Sequence, residues 1–193
     1  MENPSQKHDI GGIILDSNEY TVKQNYVRNK YRVFDSARNL VLRAKQKRFK
    51  MKEEFPFVDP NGNTVFSVKA KKILDIAGDY ALVDERTGEP VVVLTKDLTL
   101  FHHHWTIKRP DGTEVAEIES RSAILEALRS FSWIFAILPH KYEITTPDGE
   151  PIGKITGQFS LRDEYKIQIE DTNAVSKTAL VAATIAIDAL EGN

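Results

Sequence analysis

From Ala179 to Ile187 every residue is apolar except Thr184, and the alanines fall on all sides of the helix these residues predict. A helix that is apolar all round must be buried all round. At about 1.5 Å per residue, the whole stretch from Ala174 to Leu190 makes a rod of roughly 25 Å. Lys177 and Asp188 shorten its apolar part, which leaves it below the roughly 20 unbroken apolar residues that a membrane span needs. The expectation is a buried rod with the preceding chain wrapped round it as a closed shell.

That preceding chain repeats itself. Five segments share a pattern of strand, polar turn and strand, beginning at Phe34, Phe57, Leu82, Ile107 and Ile144. Pro60, Pro110 and Pro147 preset φ at the first corner of their turns, and Gly62, Gly88, Gly112 and Gly149 take the positive φ that follows. The flanks alternate apolar and polar residues, as in Thr64-Val65-Phe66-Ser67-Val68-Lys69-Ala70-Lys71, which is the period of a half-buried strand. Hairpins in series build a sandwich, a propeller or a barrel, and a leftover apolar helix is the natural filler of a barrel. One long break, Ser120 to Leu138, separates the fourth hairpin from the fifth; Ile124, Leu125, Leu128 and Phe131 share a face there and predict a helix across a barrel end. The alternative for this very apolar break is a patch for a partner or a membrane surface.

With 193 residues, 41% hydrophobic and 28% charged, one core is expected. The formal net charge of −2 provides no whole-protein attraction for nucleic acid or anionic membrane, so such binding needs a local patch. The lack of cysteine excludes disulfides, thiolate metal sites and a cysteine nucleophile, and fits a reducing cytoplasm. The first residues resemble no signal peptide, so residues 1–17 are expected to be a flexible tail and 18–193 the barrel domain.

Three features could carry chemistry. Between Arg43 and Lys52 the chain holds six cations and no acid. With Leu42 and Ala44 facing inward, Arg43, Lys45 and Lys47 share the outer face, and the corresponding place in the next hairpin holds Lys69 and Lys71. These five residues form a candidate basic patch for phosphate oxygens; the plain alternative is a solvated face whose lysines also discourage edge pairing. The second feature is Phe101-His102-His103-His104-Trp105, where His102 and His104 share one strand face. No carboxylate stands locally to complete a metal set, so the expectation is an aromatic-rich strand with exposed histidines and no metal. The third is Asp188 within the apolar helix, expected at the barrel mouth or against a Lys, Arg or backbone N–H. No nucleophile elbow, P-loop, dinucleotide fingerprint or H-E-x-x-H appears, so no catalytic residues, enzyme activity or cofactor are assigned.

Tyr20-Thr21-Val22-Lys23-Gln24, the repeated Asp-x-x-Gly turns, Pro139-x-x-Tyr142-x-Ile144 and the terminal run through Ile187-Asp188 resemble, in order and spacing, the LURP-one-related family. That family is a branch of the Tubby C-terminal-like superfamily, which also contains phospholipid scramblases. The resemblance covers about residues 18–190. It implies a mainly β fold, a twelve-stranded antiparallel barrel of serial hairpins enclosing a buried C-terminal α-helix. Tubby proteins bind phosphoinositide headgroups through lysines and arginines on such a shell. For this chain it implies a non-enzymatic binding or scaffold module, cytoplasmic or peripheral at a membrane, touching anionic phospholipid or a protein partner rather than nucleic acid. The alternative is a scramblase-like lipid-handling protein. The scramblases carry an acidic calcium segment before the final helix; here Leu161 to Asp171 lacks the Asp-x-Asp-x-Asp-Gly spacing, and Asp171 is assigned to starting or capping the helix.

Overall fold

A computed structural model describes residues 10–25, 30–45, 54–70, 78–98, 103–120, 141–158, 164–170 and 175–191. Alternating segments form twelve strands: β1 (Glu19–Asn25), β2 (Lys30–Phe34), β3 (Leu40–Lys45), β4 (Glu54–Val58), β5 (Thr64–Ala70) and β6 (Tyr80–Asp84), then β7 (Pro90–Leu98), β8 (His103–Lys108), β9 (Glu114–Ser120), β10 (Lys141–Thr145), β11 (Pro151–Gln158) and β12 (Glu164–Ile169). Each strand pairs antiparallel with its sequence neighbours. β1 closes on β12, with Tyr20 opposite Ile167 and Val22 opposite Tyr165. The ring has no free edge, which removes the edge-guarding role considered for the lysines.

The helix α1 (Lys177–Glu191) fills the lumen, and Thr178 to Ile187 are all buried. Inward residues of the wall, such as Val22, Val33, Leu42, Phe57, Leu94 and Ile107, join it in one core. Ser176 caps the helix, its Oγ accepting the Ala179 N–H at 3.2 Å. Asp171, expected to begin or cap the helix, lies outside the described residues. The mid-chain helix expected between the fourth and fifth hairpins also lies outside them beyond Ser120. Among the described residues, no helix is long and apolar enough to cross a membrane.

Two of the five turns share a construction visible in the chain. Asp59 Oδ1 accepts the Asn63 N–H at 2.8 Å, and its Oδ2 accepts the Asn63 amide at 2.9 Å. Asp35 and Asn39 repeat both bonds at 2.7 and 3.0 Å. The left-handed corner that Gly62 occupies in one turn is held by Arg38, with φ 67°, in the other.

Part of the expected tail is packed. Ile10 and Leu15 are buried, the Leu15 N–H donates to Thr178 Oγ1 at 3.1 Å, and the Gly11 N–H donates to Asp84 Oδ2 at 2.8 Å. A Cβ on Gly11 would stand 2.1 Å from the Val65 carbonyl oxygen, so this strap passes too close to β5 for any side chain at that position. Residues 1–9 lie outside the described ones.

Candidate anion-docking face

Burial on both sides of Arg43 puts Leu42 and Ala44 inside the barrel and leaves Arg43 half-exposed on the outer wall. Its Nη2 donates to the carbonyls of Asp59 at 3.1 Å and Pro60 at 3.0 Å. Those carbonyls follow β4, and among the described residues β3 meets β4 through two registered pairs, Arg43 with Val58 and Ala44 with Phe57. Arg43 therefore fastens a short seam as well as contributing charge.

The other described lysine of the candidate patch with a placed side chain, Lys69, is not free. Its Nζ lies 3.5 Å from Glu54 and 3.2 Å from Glu85. Register separates it from Arg43: Lys69 stands opposite Glu54 at the start of β4, whereas Arg43 stands opposite Val58 at its end. Arg43 and Lys69 thus flank opposite ends of the same intervening strand. Lys45 ends β3, and Lys47 and Lys71 lie outside the described residues.

What register does bring together is a set of cations on β1, β2 and β3. Lys23 stands opposite Arg32, and Arg32 opposite Arg43, in one row across three strands. One step along, Lys30 stands opposite Lys45. Lys30 and Arg32 are exposed, and among the described residues neither has an acidic partner. Lys23 has one: its Nζ is 3.1 Å from Glu164, with both side chains nearly half exposed at 47% and 44%, where such a pair contributes little. The same ammonium lies 5.8 Å from the centre of the Phe34 ring, over its face.

Lys30 and Arg32 were absent from the candidate patch, though the chain carries their signal. Lys30-Tyr31-Arg32-Val33 alternates out and in, and the Asp35 to Asn39 turn folds that segment onto β3. Pairing then runs Phe34 with Leu40 and, past a bulge, Arg32 with Arg43.

His104 faces outward, half-buried, its Nε2 3.4 Å from Glu117. Trp105 is buried beside it in sequence, with Lys96 Nζ 5.4 Å from the centre of its ring. His102 lies outside the described residues, and among those described no three His, Asp or Glu side chains are grouped to hold a metal.

Asp188 sits in the last turns of α1, half-buried, with two tyrosine hydroxyls near it. Burial, and then the nearby Asp188 carboxylate, raise the hydroxyl pKa of Tyr31 on β2 and of Tyr165 on β12. Gln24 Nε2 donates to the Tyr31 hydroxyl at 2.8 Å. Tyrosine hydroxyls from β2 and β12 thus face this carboxylate and give it polar neighbours within a largely apolar lumen.

Comparison with known proteins agrees with this architecture. The chain resembles a protein of Arabidopsis thaliana of known X-ray structure, with a TM-score of 0.56 at 7% identity over 98% of this chain and 96% of that one. At that identity the likeness concerns the fold. A search of curated protein sequences finds no match. The model of the LURP-one-related family matches residues 40–188, from the first residue of β3 to Asp188 of the enclosed helix. By that match, and with the closed barrel that surrounds its C-terminal helix, the chain belongs to the LURP-one-related family.

Proposed function

We propose that this protein is a non-enzymatic binding module that docks acidic groups, phosphoinositide-like headgroups or an acidic protein partner, on a basic face of its outer wall. One observation supports the reading: the inner faces of the strands are packed onto α1, so a docking surface on this barrel belongs on the exposed part of its outer wall, away from the buried cluster of Ala81, Val83 and Val93. The cations of β3 supply the complementary charge there. A Lys or Arg near an anionic surface contributes about 1 kcal/mol, so several acting together overcome a net charge of −2.

A scramblase-like role fits less well, because α1 occupies the lumen in which an enclosed lipid headgroup would be held. Titration with anionic vesicles at low and at moderate salt tests the reading. Binding at low salt that weakens as salt rises is the expected result, with loss on charge reversal at Lys45, Lys47, Lys69 and Lys71. Absence of any binding at low salt excludes a headgroup-docking wall.

A further inference from the structure

Several cations on this wall are paired with acids: Lys69 meets Glu54 and Glu85, Lys108 meets Glu114, and Lys166 meets Glu19. The β2 cations are not, and they stand among other cations. Arg32 stands between Lys23 and Arg43, Lys30 stands opposite Lys45, and neither β2 residue has an acid within reach among those described. Like charges directly opposite one another on adjacent strands destabilise the pair. Three such crossings in one corner of the barrel oppose folding, and a counter-charge from outside the chain would relieve them.

The shape of the face restricts what that counter-charge can be. Lys23, Lys30, Arg32 and Arg43 lie on the outward side of three adjacent strands about 4.8 Å apart, with Lys45 opposite Lys30 in register. Side chains on the outward face of neighbouring strands spread their charge across a wall. Phe34, the next outward residue after Arg32, adds an apolar ring at the same level. Cations flanking an aromatic ring on an open face fit the headgroup layer of a bilayer.

The far side of the barrel fixes an orientation. β8 is six steps from β2 in either direction round the ring. On β9 and β10 beside it, Glu119 stands opposite Glu143, with His104 and Lys154 in the adjoining register positions. That side carries acids with counter-charges of its own, and it points away from an anionic surface when β2 faces it.

We infer that the outer face of β1–β3, centred on Lys30 and Arg32, is the surface by which this barrel lies against an anionic lipid bilayer. The inference rests on the docking function proposed above and adds to it the face, two residues outside the original patch, and a surface in place of a single headgroup. Binding to mixed phosphatidylcholine–phosphatidylserine vesicles at low salt tests it, with phosphatidylcholine vesicles as the control. Lys30→Gln/Arg32→Gln is compared with Lys69→Gln/Lys71→Gln, and soluble inositol hexakisphosphate and an RNA homopolymer compete.

The expected result is about thirty-fold weaker vesicle binding for the β2 variant, from two contacts of about 1 kcal/mol each, and a much smaller loss for the β5 variant. Lys30→Arg/Arg32→Lys should retain binding. Because both residues are exposed, the Gln variant should melt at or above the wild-type temperature. Equal binding by wild type and the β2 variant overturns the face while leaving the docking function standing. Preference for inositol hexakisphosphate or RNA over vesicles overturns the bilayer as occupant, and a wild type that binds none of the three defeats the docking function itself.

Discussion

Arg38 holds a left-handed corner that glycine holds in the other four hairpin turns. A residue with a Cβ costs roughly 1–2 kcal/mol in that conformation, partly offset because glycine loses roughly 0.5–1 kcal/mol more freedom on folding. Arg38→Gly is therefore expected to stabilise by about 0.5–1 kcal/mol, a rise in Tm of about 2 °C for a chain of this size. A fall in Tm would mean that the Arg38 side chain makes a compensating contact. At Asp84, burial pushes the carboxyl up, but the N–H groups of Gly11 and Arg86 and the Arg86 guanidinium outweigh it and hold the group below the usual carboxylate value. A depressed folded value means the contribution to stability is complete above about pH 4 and disappears as pH falls through the folded value. Wild type should thus lose thermal stability more steeply than Asp84→Asn on acidification below that point. Parallel curves would show that the strap's bond to Asp84 adds no acid sensitivity. Asp35, Asp59 and Asp111 titrate low as well, through bonds in their turns, but they do so equally in both proteins.

At the scale of elements, turns and helix were legible in the chain, and partners across strands were not. Asp-x-x-Gly punctuation locates a turn because φ is a local property, and the four glycines take the positive φ their positions require. The all-round apolar character of Ala179 to Ile187 likewise needs no knowledge of neighbours to demand burial. Glu54 and Glu85 flanking Lys69, or Tyr31 and Tyr165 facing Asp188, depend on register between segments far apart in sequence. Bulges shift that register by a residue at Phe34, Val58 and Val83, so counting outward from a turn loses its place where charge pairing is decided. The dependence of wall on helix is directly testable. Deletion of residues 179–193 removes the surface against which inward faces of the barrel pack, and the remaining strands should fail to give a cooperative melt. A sharp transition in the truncated protein would show that the wall closes on itself without α1.

For the molecule as a whole, the ring is completed by its first strand and its last: Glu19 to Lys23 of β1 lie against Glu164 to Gln168 of β12. The element that fills the ring, α1, comes later still in the chain. Ribosomal synthesis therefore delivers a wall of eleven strands before the strand that shuts it, and the filling only after that. Throughout that interval β1 has no second neighbour and the inward faces have nothing to cover, so the nascent chain is a curved sheet with two exposed edges and an apolar hollow. Productive folding then hinges on keeping the nascent sheet from pairing with other chains until its own last segment arrives. Slowed elongation or a holding chaperone would raise the yield of native protein, whereas better packing of the finished core would leave that yield unchanged.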